Sequence, residues 1–172
     1  MPFSGKSEAV RIAKQKDIPV IRMGDLVWEE VKKRDLKLID KNVGFVANEM
    51  RQKHGKNIWA KKTIKKIKKL SIGESIVIDG VRNIEEIDIF KKELGDNFIL
   101  VAIQASDEKR YSRAMNRNRE DDSKNIDKIK ERDKRELSWG LDGLIATADI
   151  VIKNEKSLDV FRNKINNILL DL

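Results

Sequence analysis

The chain has 172 residues, 40% hydrophobic and 38% charged, with its apolar residues gathered in runs and stripes, which excludes a disordered chain and suits one domain with a real core. It has no cysteine, so disulfide frameworks and thiolate metal sites are excluded, and no apolar stretch nears the ~20 residues a membrane-spanning helix needs. The net charge of +8 fits either a nucleic-acid surface or a phosphate-handling cleft beside solvated lysine faces.

In chain order, the first feature is Met1-Pro2-Phe3-Ser4-Gly5-Lys6-Ser7. This is the P-loop pattern G-x-x-x-x-G-K-[ST] without its first glycine. In such a loop, backbone N–H groups and the start of the next helix point at phosphate oxygens. Pro2, Phe3, Ser4, Gly5, Lys6 and Ser7 are therefore expected to wrap the phosphates of ATP. Lys6 would carry charge to the β- and γ-phosphates, and the Ser7 hydroxyl would ligate Mg²⁺. G-K-S alone is common by chance; its weight comes from the helix Glu8 to Lys16 behind it and from the strands that follow. A P-loop is normally preceded by a strand in the middle of its sheet. The expectation is thus that the native protein extends upstream by about one strand of ~5–6 residues and a glycine.

Four β-branched runs come next: Ile18 to Met23, Ser75 to Ile78, Phe98 to Ile103 and Asp149 to Ile152. Each is nearly continuous, as in parallel strands covered on both faces. Between them lie helical patterns over Leu26 to Lys33 and Val43 to Lys53, then Ile58 with Ile64, Ile67 and Leu70. Ile84, Ile87, Phe90 and Leu94 continue the pattern up to Gly95, a C-cap candidate. Ser157 is a candidate N-cap for a last helix with Leu158, Phe161, Ile165, Ile168 and Leu172 on one face. Strands alternating with helices predict an α/β fold with a parallel sheet. Arg110 to Arg135 is arginine-rich and poor in large apolar residues, so it is expected to bury little and to project as a mobile element.

Three further motifs stand at the strand ends: Met23-Gly24-Asp25, Ile78-Asp79-Gly80-Val81-Arg82, and Ala148-Asp149-Ile150-Val151-Ile152-Lys153-Asn154. With Gly5-Lys6-Ser7, and with Arg119-Glu120-Asp121-Asp122 ahead of Arg132-Asp133-Lys134-Arg135-Glu136, the chain resembles an archaeal P-loop ATPase and kinase-like family related to adenylate kinase and dephospho-coenzyme-A kinase. The resemblance covers essentially the whole chain. It implies a nucleoside-monophosphate-kinase-like sheet of order 2-3-1-4-5, with strand 1 absent here, and a helical lid over about 110–135 within a single domain. It also implies that Asp25 contacts the acceptor, with general-base work as a second role, that Asp79 holds Mg²⁺ through water, and that Arg82 binds the acceptor's phosphate.

Physical argument leads to similar roles. Ligands bind at the carboxyl ends of parallel strands, where Asp25 and Asp79 fall. Phosphoryl transfer needs positioning, a metal and cations, and arginine binds phosphate bidentately. Arg110, Arg113, Arg117, Arg119, Arg132 and Arg135 would close over the phosphates, with Arg113 and Arg132 the two selected for catalysis.

Plainer readings stand beside these. Asp25 would cap a helix starting at Leu26, Asp79 would be a turn residue beside Gly80, and most lid arginines would be salt-bridged. The cluster Lys61, Lys62, Lys65, Lys66, Lys68 and Lys69 alternates with Ile64, Ile67 and Leu70, which suits the wet face of a helix better than a nucleic-acid patch. His54 reads as a helix-end residue, and Trp28, Trp59 and Trp139 are too scattered to form a stacking platform. The leading expectation is a cytoplasmic phosphotransferase that uses ATP and Mg²⁺ and has a nucleoside monophosphate or dephospho-coenzyme-A-like molecule as acceptor. The alternatives are an ATP-binding switch or slow ATPase with RNA as a candidate partner, and a basic nucleic-acid module in which G-K-S is accidental.

Overall fold

The computed structural model describes residues 1–70, 75–116 and 125–170. Arg117, Arg119, Glu120, Asp121, Asp122 and Leu172, named above, lie outside them. Gly5 turns the chain in the left-handed region (φ 117°) and helix α1 (Lys6–Gln15) starts from it. A Cβ on Gly5 would overlap Asn154 Nδ2 and press on the Phe161 ring, so glycine is required here for both conformation and room.

Four short strands form on the four apolar runs, the last three ending one residue beyond them: β1 (Val20–Arg22), β2 (Val77–Asp79), β3 (Val101–Gln104) and β4 (Ile150–Lys153). β1 pairs with β2 and β3 with β4, both in parallel. Those pairs are neighbours in the order that the resemblance implies. Among the described residues, the inner edges of β2 and β3 have no strand partner. In register, Ile21 faces Ile78 and Ile103 faces Ile152, while Arg22 and Asp79 end up side by side at the carboxyl edge.

Helices α2 (Met23–Lys33), α3 (Asp40–His54), α4 (Ile58–Ile67) and α5 (Ile84–Leu94) surround one core cluster with Val31, Val46, Trp59, Ala60 and Phe90 at its centre. A second cluster joins α1 (Ile12), β3 (Ile103), β4 (Ile152) and the last helix α9 (Leu158–Leu170; Phe161, Ile165). Capping is as read at two places: Gly95 ends α5, and Ser157 Oγ accepts from Val160 N. Asn83 is a cap that the pattern did not reveal, accepting from Glu86 N at 2.9 Å. His54 is the last residue of α3. The lysines of α4 face water or pair outward, as Lys62 does with Glu30 and Lys66 with Glu29.

Two expectations need correction. α2 begins at Met23, because β1 ends at Arg22, one residue before the end of its apolar run. Asp25 therefore lies inside the first turn and caps nothing; Arg22 holds the N-cap position. The arginine-rich segment, in its described part, forms α6 (Asp107–Asn116) and α7 (Ile126–Ser138), and these bury Arg110, Ala114, Ile129, Asp133 and Glu136. The reading that it buries little overlooked charge burial by pairing. Arg110 donates to both Asp133 oxygens (3.0 and 2.6 Å), and both side chains are buried. Charged groups enter a core when each neutralises the other. A short helix, α8 (Leu141–Ala146), follows α7 and seats Leu141 and Leu144 against Ile87.

Candidate phosphate-binding site

The carboxyl ends of β1 and β2 and the start of α1 converge on a cleft of about 130 Å³. Its floor is Pro2, Phe3, Gly5, Lys6 and Ser7. One wall is Asp79, Gly80 and Arg82, and the other is Arg132, Arg135 and Glu136 of α7. The far end is apolar and aromatic, with Met23, Val27, Trp28, Val43, Ala47, Trp59 and Trp139.

Each group is held by its element. Lys6 leaves the first position of α1, and its Nζ donates to the Met1 carbonyl at 2.9 Å. Burial is the main force that pushes its ammonium down to about 8, with Arg82 adding to it and Asp79 and Glu136 opposing. Asp79 is the last residue of β2, where Arg22 Nε lies 3.7 Å from its carboxylate. Arg82 follows Gly80 (φ 105°), and its backbone N–H donates to Glu86 Oε2 at 2.7 Å. Its Nε lies 2.9 Å from Glu136 Oε2. Arg132 meets the same carboxylate, Nε to Oε1 at 3.3 Å. Burial alone would raise the pKa of Glu136. Arg82, Arg132 and Lys6 outweigh it and hold that carboxyl at about 2.

Thus Lys6, Ser7, Asp79, Arg82 and Arg132, predicted separately, share one cleft. Three other predicted residues, Ser4, Asp25 and Arg113, stand outside it. Asp25 is on the first turn of α2, its side chain 42% exposed and 3.7 Å from Arg22 Nη1. Arg113 lies behind the loop, donating to the Ser4 carbonyl (3.3 Å) and the Asn154 carbonyl (3.0 Å). Ser4 is fully buried, and its carbonyl also accepts from Asn154 Nδ2 at 2.8 Å. Arg113 and Asn154 therefore brace the loop from the rear. Arg110 does the same through the Pro2 carbonyl at 3.1 Å.

The sequence reading missed Arg51, Asp40 and Glu136. Arg51 is 7% exposed, stacks on the Trp139 ring at 4.3 Å, and donates from Nη2 to Glu86 Oε1 at 3.0 Å. Among the described residues, its Nε and Nη1 have no hydrogen-bond partner. Burial lowers its pKa against the pull of Glu86. Asp40 pairs with Arg135 at 2.8 Å and Arg132 at 3.6 Å. A Cβ on Gly44 would fall 2.6 Å from the Arg135 guanidinium, so that glycine lets α7 lie against α3. A signal for these residues did exist. Arg51 follows Val43 and Ala47 at intervals of four, and Glu136 follows Ile129 and Asp133 on one helical face. Charge at a stripe position marks a buried partner or a ligand.

Among the described residues, no group of three or more His, Asp or Glu is placed to hold a metal ion by itself. No described helix is long and apolar enough to cross a membrane.

Parallel strand pairs, a left-handed glycine opening a helix, and a buried lysine at that helix's start define a P-loop-type α/β nucleotide-binding domain. Residues 1–130 match the AAA domain family, and the chain belongs to it. Over 169 residues it is 44% identical to a UPF0200 protein of Methanosarcina acetivorans, covering 98% of this chain and 90% of that one. A UPF0200/UPF0201 protein of Archaeoglobus fulgidus is 44% identical over 172 residues, which are 53% of its length. A UPF0200 protein of Methanocaldococcus jannaschii is 39% identical over 173 residues, 87% of its length.

Proposed function

We propose that this protein is a phosphotransferase related to adenylate kinase and dephospho-coenzyme-A kinase. It moves the γ-phosphoryl of ATP to a small phosphorylated acceptor, a nucleoside monophosphate or a dephospho-coenzyme-A-like molecule. The observation that carries this reading is the shared cleft: a P-loop lysine and serine, a strand-end carboxylate and two arginines from distant parts of the chain line one cavity. A nucleotide-binding surface needs the first two; two further arginines fit a second phosphate group.

In this reading Lys6 neutralises charge on the β- and γ-phosphates and Arg132 faces the transferred group. Arg82 anchors the acceptor's phosphate. Ser7 and Asp79 are the oxygen ligands available to Mg²⁺, which is ordinarily held by few protein oxygens, phosphate oxygens and water. When bound, that ion would offset charge on the transferring group. Asp25 acts from outside the cleft through Arg22, which lines it, and Arg113 acts through the loop it braces. The aromatic end of the cleft suits the acceptor's organic body.

The test is ATP turnover with and without each member of a panel of nucleoside monophosphates and dephospho-coenzyme A. One acceptor is expected to raise ADP formation strongly, with the phosphorylated acceptor as co-product. Slow hydrolysis indifferent to every acceptor would favour the switch or slow-ATPase reading instead.

Nucleotide binding is also expected to depend on pH in a stated direction. Free Lys6 loses its proton near pH 8, and a triphosphate favours its charged form. Binding therefore takes up a proton above about pH 8, and affinity falls there by up to about tenfold per pH unit. Isothermal titration in buffers of differing ionisation heat measures both effects. Constant affinity from about pH 7 to about pH 9.5 would remove Lys6 from the phosphates.

A further inference from the structure

The cations assigned above to phosphate chemistry already have an anion among them. Glu136 lies 2.9 Å from Arg82 Nε and 3.3 Å from Arg132 Nε, and Lys6 is close enough to act on its charge. Its side chain is 4% exposed and lines the phosphate cleft itself. A carboxylate that only braced α7 would serve equally well away from the cleft. With Glu136 in place the open volume is about 130 Å³, roughly what one small ring fills, whereas ligand sites are usually ~300–1,000 Å³.

We propose that Glu136 is a built-in occupant of the acceptor's phosphate position, and that it sets a charge threshold which a phosphomonoester dianion passes and a monoanion does not. This rests on the phosphotransferase reading and specifies the substrate class at its second site. A monoanion that displaces Glu136 exchanges one unit charge for another and gains nothing. A phosphomonoester brings about −1.5 to −2 charge at pH 7 and three terminal oxygens, enough for both arginine forks. The exit route is consistent with this. Arg132 and Arg135 both reach Asp40, so α7 keeps a tie to α3 when Glu136 swings away. Arg51, stacked on Trp139 with two unpartnered nitrogens, offers the incoming group a further donor pair.

The test compares methyl phosphate with dimethyl phosphate, at fixed ionic strength, on the full chain and its variants. The wild type is expected to bind the monoester at least about tenfold more tightly than the diester. E136Q removes the competing charge, so it should bind both esters more tightly by a similar factor, at least about tenfold, which brings the diester into the measurable range while the ratio is kept. E136D keeps the charge and should keep the ratio. Unchanged or weaker binding of both esters in E136Q overturns the proposal. If E136Q does not fold even with methyl phosphate present, E136D decides: its shorter reach to Arg82 should tighten methyl phosphate binding several-fold, and unchanged affinity overturns the proposal. Titration of ATP with Mg²⁺ on the wild type separates the two failures. ATP binding with unaltered ester affinities in E136Q sinks this inference alone, whereas absence of ATP binding sinks the phosphotransferase reading beneath it.

Discussion

Lys6→Ala is expected to lower acceptor-dependent ATP turnover by about 10²–10³-fold, the usual cost of losing one preorganised charge partner of the transition state. Loss of folding would not explain the drop. In the folded protein burial depresses the Lys6 pKa, so its charge opposes folding at neutral pH. That opposition is fully present below about pH 8 and fades as the pH rises toward the unfolded-state value. The substitution removes this penalty and gives up one hydrogen bond, to Met1 O. The melting temperature should therefore stay within a few degrees of wild type while turnover collapses. Steady-state kinetics beside thermal denaturation make the comparison. Turnover within about threefold of wild type would show that Lys6 does not serve the transferred phosphoryl.

Asp133→Ala should produce the largest loss of stability. Asp133 accepts from both terminal nitrogens of Arg110, which is itself 1% exposed, and from Tyr111 OH at 3.3 Å. Burial opposes the Arg110 charge, but Asp133 and Asp107 outweigh it and hold its pKa above the ordinary value. Asp107 is largely exposed, so it is the weaker partner. Removing Asp133 leaves a buried, half-compensated cation, which costs about 3–5 kcal/mol. For a chain of this length that is a fall in melting temperature of about 6–20 °C. The double variant R110M/D133L should recover much of this, because two apolar side chains of similar volume replace the pair. Nucleotide affinity should stay low in the double variant, since Arg110 also holds the Pro2 carbonyl of the phosphate loop. Thermal melts and ATP titration of the three proteins check both halves. A double variant that regains stability and full affinity would detach Arg110 from the loop.

The division between what was legible and what was not follows the range of the interactions. Gly5-Lys6-Ser7 was readable because a glycine in the left-handed region and a lysine at the first helical position are demands of the local backbone. Asp79 and Arg82 were readable for a related reason: parallel strands bring their carboxyl ends to one edge, so a polar residue ending an apolar run is placed by topology. The four runs gave the strands, though not their bounds. Pairing carries β2, β3 and β4 one polar residue past their runs, to Asp79, Gln104 and Lys153, whereas the β1 run continues into Met23, already the first residue of α2.

Arg51, Asp40 and Glu136 were not found because the one local signal, a charge at a stripe position for Arg51 and Glu136, does not name the partner. Their roles depend on α3 and α7, more than 70 residues apart, coming into contact at Gly44 and Arg135. The same holds for the two arginines that the sequence could not tell apart. Arg113 and Arg132 occupy similar arginine-rich helices, yet one braces the back of the loop and the other lines the cleft.

By itself, then, the sequence determined the α/β class, the parallel pairing, the helix that carries the phosphate loop and the loop's own chemistry. These come from backbone geometry and periodic burial, which act over a few residues. Only the tertiary structure decided which of many arginines line the cleft and which carboxylate stands among them. Charge acts through space, and the partner of a buried ion is chosen by how helices pack.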